Sequence, residues 1–104
     1  MPAKSFSPAA AVEYVKDSVV SKPLLDKKGG SITLFAFDAG QKLSEHTAPY
    51  EAYLEIVEGV AEITVGGVTE RIPAGQCVII PGNVSHAVSA PERFKMILTM
   101  IQAG

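Results

Sequence analysis

Cysteine is almost absent from this chain. Cys77 stands alone, so no intrachain disulfide can form and no cysteine cluster can hold a metal. That usage permits a reducing compartment. Basic charge is not in excess either: nine Lys and Arg face eleven Asp and Glu, for a net charge of -2. With no basic stripe to neutralise phosphates, no nucleic-acid partner is expected. Long apolar runs are missing as well. Ala9-Ala10-Ala11-Val12 gives way to Glu13, Lys16 and Asp17, short of the roughly 7–15 apolar residues of a secretory signal and the about 20 of a membrane span. A soluble cytoplasmic protein with no membrane partner is the expectation. Histidine is scarce too, and His46 and His86 must carry whatever imidazole chemistry exists.

What is present describes one packed domain. The 104 residues are 47% hydrophobic, enough for a single core and too few for two. Glycine and proline recur at short intervals, and between them lie runs of about 4–8 residues rich in Val, Ile, Thr, Phe and Tyr. That rhythm predicts an all-β sandwich or barrel. The clearest hairpin joins 61–65 to 68–72 through Gly66-Gly67, which supply the positive φ angles a two-residue turn requires. Ser31 to Asp38 and Phe94 to Ile101 also read as strands. In the second, Phe94, Met96, Leu98 and Met100 form the side expected to be internal, because Lys95 is costly to bury unpaired. Residues 1–20 read as an N-terminal arm, or as a short helix from Ser7 to Lys16 with Pro8 at its first position, leading into a strand. Cys77-Val78-Ile79-Ile80 is apolar on both faces, which predicts a buried, inert thiol and a second covering layer.

The two histidines sit in two phrases of defined spacing. The first, over 40–59, runs Gly40-x5-His46-x-Ala48-x3-Ala52-x6-Gly59. The second, over 75–90, runs Gly75-x5-Pro81-Gly82-Asn83-x2-His86-x3-Ala90. Together they resemble the paired motif of the cupin superfamily, Gly-x5-His-x-His-x3-Glu-x6-Gly and Gly-x5-Pro-x-Gly-x2-His-x3-Asn. The likeness extends to small single-domain bacterial cupins, and it implies a jelly-roll β-barrel spanning 1–104 and a homodimer. In that pattern three histidines and a glutamate converge on a divalent metal. Here Ala48 and Ala52 replace one histidine and the glutamate, and counting from either side places the lost carboxylate at 52. Glu51 falls one residue early, a slip that reverses the face of a regular strand. Asn83 stands where the pattern has glycine, and asparagine tolerates the left-handed conformation better than most residues.

The site implied by the resemblance is therefore reduced. His46 and His86 would be its polar anchors, with Tyr50 at the rim and Leu54, Ile56, Met96 and Met100 as an apolar wall. As to cofactors, either one divalent ion (Fe, Mn, Ni or Zn) is held by His46 and His86 with Glu51 as a third ligand, or none is bound. Three readings follow. The first is a small-molecule-binding cupin, since apolar pockets with a few convergent polar groups are the usual shape of such sites. The second is a metal-dependent oxygenase or isomerase with a non-standard third ligand. The third is a non-catalytic sensing or interaction module. The resemblance transfers a fold and a pocket, not a reaction.

Overall fold

The long alternating run from Tyr50 to Val65 organises the molecule. In the computed structural model, which describes residues 4–102, this run is one strand shared by two sheets. Eight strands follow in chain order: β1 (Val19–Lys27), β2 (Gly30–Phe37), β3 (Lys42–His46), β4 (Tyr50–Val65), β5 (Val68–Pro73), β6 (Cys77–Ile80), β7 (His86–Ser89) and β8 (Phe94–Gln102). The first half of β4 lies between β8 and β6, in the larger sheet β1-β2-β8-β4-β6. Its second half lies between β5 and β7, in the smaller sheet β5-β4-β7-β3. Every pairing is antiparallel.

β4 crosses between the sheets at a bulge. Register with β8 shifts between Ile56 and Glu58, and the next residue, Gly59, has φ +77°. A Cβ at Gly59 would sit 2.1 Å from the Arg93 carbonyl oxygen, so only glycine lets β4 turn while touching β8. The Gly66-Gly67 turn joins β4 to β5 as expected, with both residues at positive φ. β2 and β8 also fall where the alternation places them.

Alternation sends Ala52, Leu54, Ile56, Ala61 and Ile63 of β4 inward, where all are buried. Phe37 and Phe94 stack at 4.5 Å between ring centroids beside this row. Each fully buried Leu, Ile or Phe contributes roughly 1.5–3 kcal/mol, so the facing rows of the two sheets hold the sandwich closed.

One alternative is resolved and two expectations need correction. Ser7 to Lys16, read as an arm or a short helix, is the arm. It makes one tight turn, with Ala10 N–H on Ser7 O and Ala11 N–H on Pro8 O, then runs as an arm over the outer face of the larger sheet. There Val12 packs on Leu34 and Ala36. The first three residues of that arm lie outside the described residues. Lys95 is buried, at 8% exposure, because the arm supplies its partners. Its Nζ donates to Ala9 O at 2.6 Å, lies 3.7 Å from Glu58 and sits 4.8 Å from the Tyr14 ring centroid. Cys77, expected to be covered, is exposed. It lies on β6, whose outer face is left uncovered among the described residues, with Ile79 exposed as well.

Candidate functional site at the open end of the sandwich

β4 defines two ends of the interior. Its bend, with Ile56 and Ala61, closes one end over Phe37 and Phe94. Its two tips, Tyr50 in the larger sheet and Val65 in the smaller, mark the other. The loops there are tied to one another by backbone hydrogen bonds. Asn83 N–H donates to Ala48 O at 2.8 Å, and Gly66 N–H donates to Ser85 O at 2.8 Å. Asn83 takes φ +65°, the left-handed turn that its side chain tolerates.

Both histidines stand at this open end. β3 and β7 pair as Lys42 with Ser89 and Leu43 with Val88. The register then shifts, so that His46 lies opposite His86. On its other side His86 pairs with Val65, sharing the inward parity of Val88 and Ile63. The imidazoles meet edge to face, 4.3 Å between centroids and 62° between planes. His86 is half-buried and His46 exposed, so solvent reaches the pair.

Each ring is held by the carbonyl two residues upstream. His46 Nδ1 lies 2.8 Å from Ser44 O, and His86 Nδ1 lies 3.0 Å from Val84 O. A carbonyl can only accept, so each Nδ1 carries a proton. In the neutral ring this leaves Nε2 with a free lone pair, as an acceptor or a metal ligand. No sequence signal announced these tethers. They follow from the curl of the chain at the end of β3 and before β7.

The remaining expected residues are divided by the fold. Tyr50 and Met100 line a recess of about 160 Å³ with Asp26 and Lys27 at the end of β1 and Lys28 after it, and the histidines are not among its lining residues. Those three charged residues were not anticipated. Leu54, Ile56 and Met96 are buried in the packed core; they form its filling and not a wall facing a ligand. Glu51 is on the wrong side. It is exposed and lines a groove on the outer face with Tyr53 and Ile79, as strand parity requires. Ala52, the position of the lost carboxylate, is inward and buried.

The family model for the cupin domain matches residues 33–101, more than half of the chain. A conserved protein of unknown function from Streptococcus pyogenes superposes with a TM-score of 0.94 at 32% identity, over 100% of this chain and 91% of that one. This chain is a cupin. A cupin superfamily protein from Desulfitobacterium hafniense superposes with a TM-score of 0.91 at 25% identity, covering 99% and 95% of the two chains. An uncharacterised protein of Streptomyces coelicolor is 34% identical over 62 residues, spanning 60% of this cupin and 59% of that protein.

The donor set can be tested against a metal directly. Catalytic zinc has three protein ligands, and mononuclear non-heme iron has two histidines with a carboxylate. Among the described residues no group of three His, Cys, Asp or Glu side chains is brought together. Two imidazoles alone do not fit a resident ion of either kind.

Proposed function

We propose that this cupin binds a small, partly apolar molecule at the open end of its sandwich, with His46 and His86 as paired hydrogen-bond acceptors. One observation carries the reading: both Nδ1 atoms are committed to backbone carbonyls, so each neutral ring offers Nε2 to a ligand. A ligand presenting two adjacent donors, such as a diol or a catechol, matches such a pair. Tyr50 and Met100 line a recess of their own with Asp26, Lys27 and Lys28, so the reading rests on the histidine pair and not on that recess.

Thermal-shift and calorimetric screening against small carboxylates, phenols and sugars tests this. We expect a class of hits that the His46→Ala/His86→Ala variant loses. Hits of unchanged affinity in that variant would reject the site.

The tethers also favour a second reading. Carbonyl-oriented imidazoles are common among metal ligands, and the pair would serve a metal-dependent oxygenase or isomerase whose substrate itself donates the missing oxygen. Elemental analysis of untagged protein after exposure to iron, manganese, nickel or zinc separates the two. Stoichiometric metal, retained by the wild type and lost from the double variant, would favour the enzyme.

A further inference from the structure

β3 spends one residue more than its partner strand. Lys42 pairs with Ser89 and Leu43 with Val88, yet the next pair is His46 with His86, so Ser44 and Glu45 together face Ala87 alone. The irregularity belongs to β3. On its other side β7 runs in unbroken register with β4, from His86 opposite Val65 to Ser89 opposite Glu62. Two residues against one make a β-bulge, and the side chains show where the extra residue goes. Ser44 and Glu45 are both exposed, and both line a groove of about 260 Å³ on the outer face beside Glu62, Thr64, Ala87 and Ser89.

Two consequences meet at His46. Leu43 packs against the core, and a residue three positions further on takes the opposite face of a regular strand. The bulge absorbs one position and returns His46 to the inner side, opposite His86. It also bends the strand, and Ser44 O comes to lie 2.8 Å from His46 Nδ1. His86 reaches the same state by an unlike route. Its tether, Val84 O at 3.0 Å, leaves a turn through the left-handed Asn83, in which Val84 N–H donates to Pro81 O at 3.3 Å. A bulge and a turn thus each deliver a carbonyl, two residues upstream, to the same ring atom.

We infer that the extra residue of β3 is a positioning device: it faces His46 inward and holds its proton on Nδ1, which keeps Nε2 an acceptor. The nitrogen that carries the proton in a neutral imidazole is set by the hydrogen bond the other atoms of the site allow it. An untethered ring exchanges between both tautomers, and only one of them accepts a donor at Nε2. The purpose of the device rests on the acceptor pair proposed above, whereas its geometry stands without a ligand. Ser44 and Glu45 turn their side chains to the outer groove, so the backbone carries the effect.

Nitrogen NMR of the imidazoles, recorded without ligand on neutral rings, tests this. In the intact protein both rings should carry the proton on Nδ1, and a His46 protonated on Nε2 or evenly mixed would overturn the inference. Ser44→Ala/Glu45→Ala keeps the backbone and should leave the spectrum unchanged; a shifted His46 tautomer there would also overturn it. Deleting Glu45 removes the bulge. The ladder then closes with Ser44 opposite Ala87 and His46 still facing His86, but the Ser44 carbonyl is now bonded to His46 N and cannot reach the ring. The tautomer ratio of His46 should move away from Nδ1–H by about two- to tenfold, the equilibrium worth of one hydrogen bond, with His86 unchanged. An unmoved ratio, or loss of the nuclear Overhauser contact between the rings, would reject the device. Should the deletion misfold, the intact protein and the double alanine variant still decide. An empty ligand screen would reject the site, while a His46 held on Nδ1 would still uphold the bulge.

Discussion

The two ends of this sandwich are built from the same strands and do opposite things. At the closed end, Phe37 stacks on Phe94, and Gly59 lets β4 press against β8. Every inward position there is filled. At the open end the same strands present Ala52, Met100 and two solvent-reachable histidines. Alanine at 48 and 52, where the family motif has histidine and glutamate, leaves less polar bulk at one end while the other stays filled. On the function proposed above, stability and recognition are separated in space. A site can lose half its donors without cost to the fold when the packing that holds the barrel lies elsewhere.

The largest effect should come from the closed end. Phe94→Ala removes one ring of the stacked pair at a fully buried position and should cost about 3–5 kcal/mol, read by urea denaturation. A loss below about 1 kcal/mol would mean that this end does not dominate stability. Rebuilding the open end should act in the other direction. Ala48→His with Ala52→Glu restores the four-donor pattern, and the variant should take up one equivalent of a divalent metal. At a hundredfold excess over its dissociation constant the ion should add about 2.7 kcal/mol, seen as a metal-dependent rise in Tm. Absence of uptake would show that Ala52 does not share a cavity with the histidines.

How much could be read in advance depended on the range of the interaction involved. The hairpin at Gly66-Gly67, the course of β8 and the left-handed Asn83 are local matters of turn chemistry and alternation, and all were legible. Parity pointed Glu51 outward, yet it stood as a candidate third ligand, and its exposed place on β4 removes it from that role. Lys95 and Cys77 were misjudged for a common reason. What covers a strand face is decided by distant chain: Lys95 is satisfied by Ala9, 86 positions away, whereas Cys77 has Tyr53 of the neighbouring strand beside it and stays exposed. The histidine tethers were invisible because they depend on backbone curl at two strand ends, which no residue type encodes.

The arm gives the middle of the scale. Lys95→Met should cost about 1.5 kcal/mol, the worth of a hydrogen bond to a charged group, and should speed proteolytic cleavage ahead of Val19. The arm's base also carries an acid-sensitive fastening. Asp38 accepts the Asp17 backbone N–H at 2.7 Å and Arg93 Nε at 2.9 Å. These contacts, the backbone bond first, hold its carboxyl below the ordinary 3.8. A depressed carboxylate lends stability that is present above its unfolded value and is lost as pH falls through the folded one. Exchange of the Asp17 amide should therefore accelerate as pH drops below 3.8 and stay slow, after correction for intrinsic rates, between pH 5 and 7. Asp38→Asn should remove that dependence.

The smallest expected effect is the most informative about the contrast between the ends. His46→Ala/His86→Ala removes both candidate anchors, yet His46 is exposed, His86 is half-buried, and their tethers go to the carbonyls of Ser44 on the exposed β3 and of Val84 in the loop before β7, which water can satisfy. Substitutions of this kind usually fall within about 0.5 kcal/mol, so the urea midpoint should scarcely move while ligand-induced stabilisation disappears. The opposite result, a loss approaching that of Phe94→Ala, would mean that the imidazoles are structural props of the β3–β7 pair. In that case the open end would be a second core, and the acceptor pair would lose its claim to a ligand.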